Sequence, residues 1–190
     1  YDAEDVGCSK AAAIERRAGA INPLVSVVAH RKALNDFSAD ELREMIEAVD
    51  MVVAATDDPA AQYRLNHVAW QAGRPAVFTG VYGGGAGGEV IFTIPGVTTC
   101  FRCATGGQRG SAHRAAAVNY GTGRLMAEPA LGADITHVVS TSLKVILGVM
   151  ELSYDEAKQN SSAAMVLGAA ATGQNFLQMS MVPDYSYFPE

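Results

Sequence analysis

The sequence predicts an α/β fold: a Rossmann-like, mostly parallel sheet flanked by helices, with an antiparallel extension. Three features predict it. Apolar runs of strand length, Leu24 to Ala29, Met51 to Ala55 and Ala76 to Tyr82, alternate with stretches of helical character, the order of a parallel sheet whose strands are joined by helical crossovers. A glycine run, Gly83 to Gly88, leads into a fourth apolar run, Glu89 to Ile94, close enough to the third for antiparallel pairing. And 49% of the 190 residues are hydrophobic, enough for one core on the usual scale of roughly 100–200 residues per domain.

The elements follow in chain order. Ser9 to Ala20 is rich in helix formers and is stopped by Asn22-Pro23, because the residue before a proline avoids the helical region. Leu24 to Ala29 reads as a first buried strand. Ser38-Ala39-Asp40-Glu41 is a capping box that opens a helix to Val49. Met51 to Ala55 is a second strand, and Asp58-Pro59 opens a helix to about Ala72 that Gly73-Arg74-Pro75 ends. Ala76 to Tyr82 and Glu89 to Ile94 complete the strand series. From Gly96 to Pro129 no regular pattern holds, as in a long functional loop. Leu131 to Leu152 resumes as a helix with Ile135, Val138, Val139, Ser142, Ile146 and Val149 on one face. Ser153 to Gly173 reads as a small-residue linker, and Gln174 to Val182 alternates as a closing strand.

Composition narrows the function classes. The net charge of -6 offers no global basic field for nucleic acid or an anionic membrane, so neither is expected as a partner. Leu131 to Leu152 carries Asp134, His137 and Lys144, which argues for a core helix and against a membrane span. Nothing before Ala11 resembles a signal peptide, and Tyr1 follows no initiator Met, so the chain reads as cut at its start. Three cysteines, Cys8, Cys100 and Cys103, are too few for a disulfide framework and suit a reducing cytoplasm.

Four constellations can carry chemistry. In Gly7-Cys8-Ser9-Lys10-Ala11, Lys10 sits in the first turn of a helix. There it opposes the helix dipole at a cost of about 0.3–1 kcal/mol, a cost that a bound anion would reverse; the bland reading is a solvated lysine, with Cys8 a small buried hydrophobe. In Ala54-Ala55-Thr56-Asp57-Asp58, two acids leave the end of a strand, where ligands of open sheets bind. Asp58 before Pro59 caps the helix, which leaves Asp57 for magnesium; the bland alternative makes both acids caps. Cys100-Phe101-Arg102-Cys103 is a CxxC pair. It reads as half of a tetrahedral zinc site, with a redox pair as the rival, although Pro95-Gly96 separates it from the strand before it. After it, Arg102, Arg109, His113, Arg114 and Arg124 face one acid, Glu128, before Ala130: a basic stretch for phosphate or an acidic partner, or simply a solvated loop. The glycine run fails as a dinucleotide fingerprint because a strand, not a helix, follows it. His67 and His137 fall within helices and have no metal spacing.

In order and spacing, these pieces resemble the ThiF/MoeB and ubiquitin-activating superfamily of adenylating enzymes. The resemblance rests on Asp5-Val6-Gly7-Cys8-Ser9-Lys10-Ala11, Ile21-Asn22-Pro23, Ala55-Thr56-Asp57-Asp58, Leu65-Asn66, Gly73-Arg74-Pro75, Gly80-Val81 through Gly88-Glu89-Val90, Pro95-Gly96, Cys100-Phe101-Arg102-Cys103 and the helix from Leu131-Gly132 to Gly148. It implies one ThiF-type domain over residues 1–190, with a nucleotide-binding part (1–95), a crossover loop (96–130) and a closing helix and strand (131–190).

The resemblance also implies an activity. ATP and magnesium would adenylate the C-terminal carboxylate of a ubiquitin-like or sulfur-carrier protein. Lys10 would contact phosphate, Ala33 and Leu34 would lie near the adenine, and Thr56, Asp57 and Asp58 would form the nucleotide turn with Asp57 on magnesium. Cys100 and Cys103 would hold zinc, Ala104 to Pro129 would lie over the partner's tail, and the protein would be a homodimer. The family's glycine-rich phosphate loop, ribose-binding acid and catalytic arginine would lie before Tyr1. Asp58 stands where the family has Asn. Gln62 stands where it often has Arg, with Arg64 the nearest substitute, and no second CxxC occurs. Two further classes share the fold: a nicotinamide-dependent oxidoreductase, and a non-catalytic scaffold that binds a partner protein.

Overall fold

The structure is a computed structural model that describes residues 3–106, 130–153 and 161–181. It comprises two compact units, Tyr1–Ser38 and Ala39–Glu190.

In the first unit a single 3-10 turn, Ala3–Asp5, precedes helix α1, Lys10–Ile21. Asp5 is buried; its carboxylate accepts a hydrogen bond from Arg16 and pairs with the adjacent Arg17 at 3.6 Å, so the lead-in to α1 is fastened to the helix it starts. Asn22 ends the helix: its N–H donates to Ala18 O, and its Oδ1 accepts Leu24 N–H at 3.0 Å, a local turn that competes with a further helical residue. Two expectations fail here. Leu24 to Ala29 is not a strand; Leu24 is 92% and Val28 76% exposed. An apolar β-branched run states a preference for burial but supplies no ladder partner, and a strand exists only through its hydrogen-bonded neighbour. Cys8 is exposed, with its thiol near Glu4 O.

The second unit is built on a four-stranded sheet in the order β1 (Val52–Ala54), β2 (Ala76–Val81), β3 (Gly87–Thr93), β4 (Phe176–Ser180). β1 and β2 are parallel, while β2–β3 and β3–β4 are antiparallel. The α/β class with its antiparallel extension therefore stands, but among the described residues the sheet is mixed rather than mostly parallel: two of its three ladders are antiparallel, β2 and β3 being joined by a tight turn and not by a helical crossover. Helix α2 (Ala39–Glu47) buries Leu42 and Ile46, one turn apart, and leads into β1; α3 (Pro59–Gln71) is the crossover from β1 to β2. The glycine run is a hairpin turn: Gly84 and Gly85 have φ of 66° and 71°, which L side chains avoid.

Strand alternation sorts the core onto two faces. Val77, Val90 and Phe92 face helix α5 (Gly132–Glu151) and helix α6 (Ser161–Ala171), forming one cluster with Val145, Val149 and Val166. Phe78, one residue off that row, lies on the opposite face and stacks on Phe101 of the short helix α4 (Phe101–Ala104) at 4.2 Å. The residues between Ser153 and Gly173 are thus not only a linker: α6 occupies 161–171. Its small residues suit close helix contact, which a composition reading mistakes for low information. The buried face of α5 is also rotated from expectation. Val138, Ser142, Val145, Gly148 and Val149 are buried, with Ser142 paired to Thr79 of β2, while Ile135 and Val139 are 41% and 43% exposed. By length and composition α5 could also cross a membrane.

The contact between α5 and α6 depends on Gly148, where an added Cβ would lie 2.4 Å from Ser162 O. Gly148→Ala is expected to destabilise the fold by about 1–3 kcal/mol through overpacking. Gly168→Ala, in a helix position with nothing within 4 Å, should stabilise by up to about 1 kcal/mol through helix propensity. Urea unfolding of the two variants checks the pair; equal and small effects would refute the close approach.

Candidate functional site

The turn from β1 to α3 is built by its own residues. Asp58 is the N-cap: its Oδ1 accepts Ala60 N–H at 2.9 Å, and Pro59 occupies the first helical position. Thr56 Oγ1 accepts Asp58 N–H at 3.2 Å. Gln62, one turn into α3 and 3% exposed, donates from Nε2 to Thr56 O at 2.7 Å. Between these fixed residues Asp57 is exposed. Because Ala54 pairs with Phe78, this turn leaves the sheet at the carboxyl end of the parallel pair, where ligands of open sheets bind. An exposed carboxylate here, beside a neighbour already used as a cap, has the chemistry of a magnesium ligand.

One turn further along the same side of α3, Asn66 fastens a second region. Its Oδ1 accepts Phe101 N–H at 2.9 Å, satisfying an otherwise unpaired donor at the start of α4. Cys100 is the N-cap of that helix and Cys103 lies within it. Burial pushes the Cys100 thiol up. Hydrogen bonds from the Cys103 backbone and thiol, from the Arg102 backbone and from the Asn66 side chain outweigh this and bring it below the ordinary thiol value. Cys103 is held above it, first by its side-chain hydrogen bond to Cys100 and then by the charge on Cys100. The two sulfurs thus form one unit. Among the described residues no group of three or more His, Cys, Asp or Glu side chains is placed to hold a metal ion; the pair fits half of a zinc site and no more. The CxxC does open a helix, though a short one and not directly after β3. Beside Cys100 lies an open cavity of about 490 Å³ walled by Tyr63, His67, Trp70, Gln71 and Arg102.

The segment before the CxxC is anchored by Asn175. This residue, 3% exposed, donates to Phe92 O at 2.7 Å and Thr99 O at 2.9 Å and accepts from Thr99 Oγ1 at 2.9 Å. On the Phe78 face of the hairpin, Glu89 is 4% exposed opposite Gly80. It accepts from Tyr82 OH at 3.0 Å, and that hydroxyl accepts from Gln178 Nε2 at 2.9 Å. Sequence reasoning passed over Glu89, Tyr82 and Asn175. An acid inside the run Glu89-Val90-Ile91-Phe92 was the available signal, since a buried charge requires a hydrogen-bonding partner.

The structure brings Thr56, Asp57 and Asp58 into one turn, and Cys100 and Cys103 into another. Lys10 is the first residue of α1, exposed, and Ala33 and Leu34 stand at a 3-10 turn, Leu34–Asp36; all three belong to the first unit. Arg102 is exposed on α4. Arg109, His113, Arg114, Arg124 and Glu128, with residues 107–129 of the expected crossover loop, lie outside the described residues.

An α/β chain whose acid-bearing turn leaves the carboxyl end of a parallel pair falls in the open-sheet class, whose ligands bind at such turns. The sequence pattern of the ThiF family matches residues 1–181, and the chain belongs to that family. Over 82 residues it is 37% identical to a sulfur carrier protein adenylyltransferase of Thermus thermophilus, a match covering 43% of this chain and 29% of that protein. Its fold is similar to the crystal structure of selenomethionine PaaA, with a TM-score of 0.58 at 14% identity over 96% of this chain and 55% of that one. The chain thus spans less than two thirds of either of these proteins.

Proposed function

We propose that this chain supplies part of the nucleotide site for ATP-dependent adenylation of a protein's C-terminal carboxylate, the partner being a ubiquitin-like or sulfur-carrier protein. The observation that carries the reading is the exposed Asp57 on a turn held by Thr56, Asp58 and Gln62, in a ThiF-family chain with an adenylyltransferase relative.

In this reading a carboxylate oxygen of the partner attacks the α-phosphorus of ATP, the bond to the β-phosphate bridging oxygen breaks, and pyrophosphate leaves. Magnesium, when bound, neutralises charge on the phosphate oxygens. The chain's own residues position and neutralise. Asp57 would hold that ion through its exposed carboxylate. Lys10 brings a cation to phosphate at a helix start, where an anion is already favoured. Thr56 and Asp58 keep the turn in shape, and Ala33 and Leu34 offer small apolar surface for the adenine. Cys100 and Cys103 would hold two of the four positions of a structural zinc. The test is exchange of labelled pyrophosphate into ATP by the full-length protein with its carrier partner. Exchange that requires the partner supports the reading; its absence with intact protein, partner, ATP and magnesium overturns it.

A homodimer belongs to the same proposal. On α5, Ile135, Val139, Leu143 and Leu147 form a row at four-residue spacing, each 41–52% exposed, the apolar surface that a second copy would bury. Leu143→Glu is expected to weaken the dimer by about 2 kcal/mol or more, roughly thirtyfold in dissociation constant. Sedimentation equilibrium of the full-length protein checks this; an unchanged mass across dilution would remove α5 from the interface.

A further inference from the structure

We propose that Gln62 is a positioning residue for the magnesium-binding acid, an inference that rests on the adenylation reading above. The argument is geometric. A peptide unit is planar, so fixing one of its atoms by a hydrogen bond from a rigid element restricts the whole plane. The carbonyl of Thr56 and the N–H of Asp57 share one such plane, and Gln62 Nε2 holds that carbonyl at 2.7 Å. The next plane contains the carbonyl of Asp57 and the N–H of Asp58, and Thr56 Oγ1 holds that N–H at 3.2 Å. Asp57 thus sits between two restrained planes, and the direction of its Cα–Cβ bond is set while its carboxylate is exposed. A metal ligand held this way loses less freedom on binding than one on a free turn.

The clamp comes from the right place. Gln62 is buried on α3 at 3% exposure, four positions before Asn66, which holds the start of α4 from the same side of the helix. One buried edge of α3 therefore fastens the acid-bearing turn with one amide and the cysteine turn with the next. Glutamine performs this without bringing a second cation to the turn; an arginine at the position would hold the same carbonyl but add charge beside the metal.

The test uses the full-length protein with Gln62→Met, which keeps the volume and removes the donor, and Gln62→Glu, which keeps the shape and removes the donor should the methionine variant not fold. Amide hydrogen exchange of the unliganded protein is the first readout. Protection at Asp58 and Ala60 should fall about tenfold while β2 and β3 amides stay within about twofold, a local opening without loss of the sheet. The magnesium requirement of pyrophosphate exchange is the second. The half-saturating concentration should rise roughly fivefold or more, with the rate at saturating magnesium within about threefold of the parent, because the acid is still present but no longer pre-set. Unchanged protection at Asp58 and Ala60 in a folded variant overturns the clamp. If the parent protein shows no pyrophosphate exchange, the adenylation reading fails, while the hydrogen-exchange readout still decides whether Gln62 orders the turn.

Discussion

Asp57→Ala in the full-length protein is expected to reduce pyrophosphate exchange at least about a hundredfold, the scale on which removal of one pre-placed electrostatic group acts at a site of developing charge. Among the acids of the turn, Asp57 is the one that no cap uses, since Asp58 Oδ1 is committed to Ala60 N–H. The neighbouring variant makes the assignment specific. Asp58→Ala removes the helix cap and should cost about 1 kcal/mol of stability, with a far smaller effect on exchange. If Asp57→Ala exchanged normally, the magnesium role would be lost. If Asp58→Ala were the inactive one, the two acids would have to trade places.

The second large effect is on stability. Phe101 is fully buried, stacked on Phe78 at 4.2 Å and edge-on to Tyr63 at 5.6 Å. Phe101→Ala is expected to cost about 3–5 kcal/mol through lost burial and the cavity left behind, roughly a 10 °C fall in melting temperature for a domain of this size. Phe101→Leu, which retains much of the apolar volume, should cost about 1–2 kcal/mol. Because this one ring fastens a four-residue helix to the sheet, the alanine variant should also release the CxxC turn, seen as faster thiol labelling at Cys100 below the unfolding transition. Slow labelling with full loss of stability would mean that Asn66 and Asn175 hold the turn without the ring.

Local chemistry was legible wherever the deciding partner lies within a few residues. Asp58-Pro59 specified both a cap and a helix start, Asn22-Pro23 a helix end, and Gly83 to Gly88 a hairpin, because each is settled by backbone sterics and hydrogen bonds over one turn. The same holds for the turn 56–58, where the separation of one acid as cap from the other as ligand candidate is visible in residue order. Leu24 to Ala29 failed for the converse reason: its conformation depends on a neighbouring strand. Ser161 to Ala171 was missed because alanine, serine and glycine carry little hydrophobic periodicity, although they permit the close approach at Gly148 that makes the helix pack. Which face of α5 turns inward depends on the neighbours it meets, Ser162 against Gly148 and Thr79 against Ser142, the last pair 63 residues apart in the chain.

By itself the sequence determined the α/β class, the family and the identities of the acid, the lysine and the thiol pair, since these are matters of residue type, short spacing and order. Only the tertiary structure decided what holds the acid-bearing turn and the thiol pair: Gln62 on the Thr56 carbonyl, Asn66 at the start of α4, and Asn175 across from Phe92 and Thr99. Buried polar side chains find their partners where helices and strands cross, and a partner 76 or 83 residues away along the chain leaves no local pattern to read, because the free energy that selects it arises only when both groups leave water together.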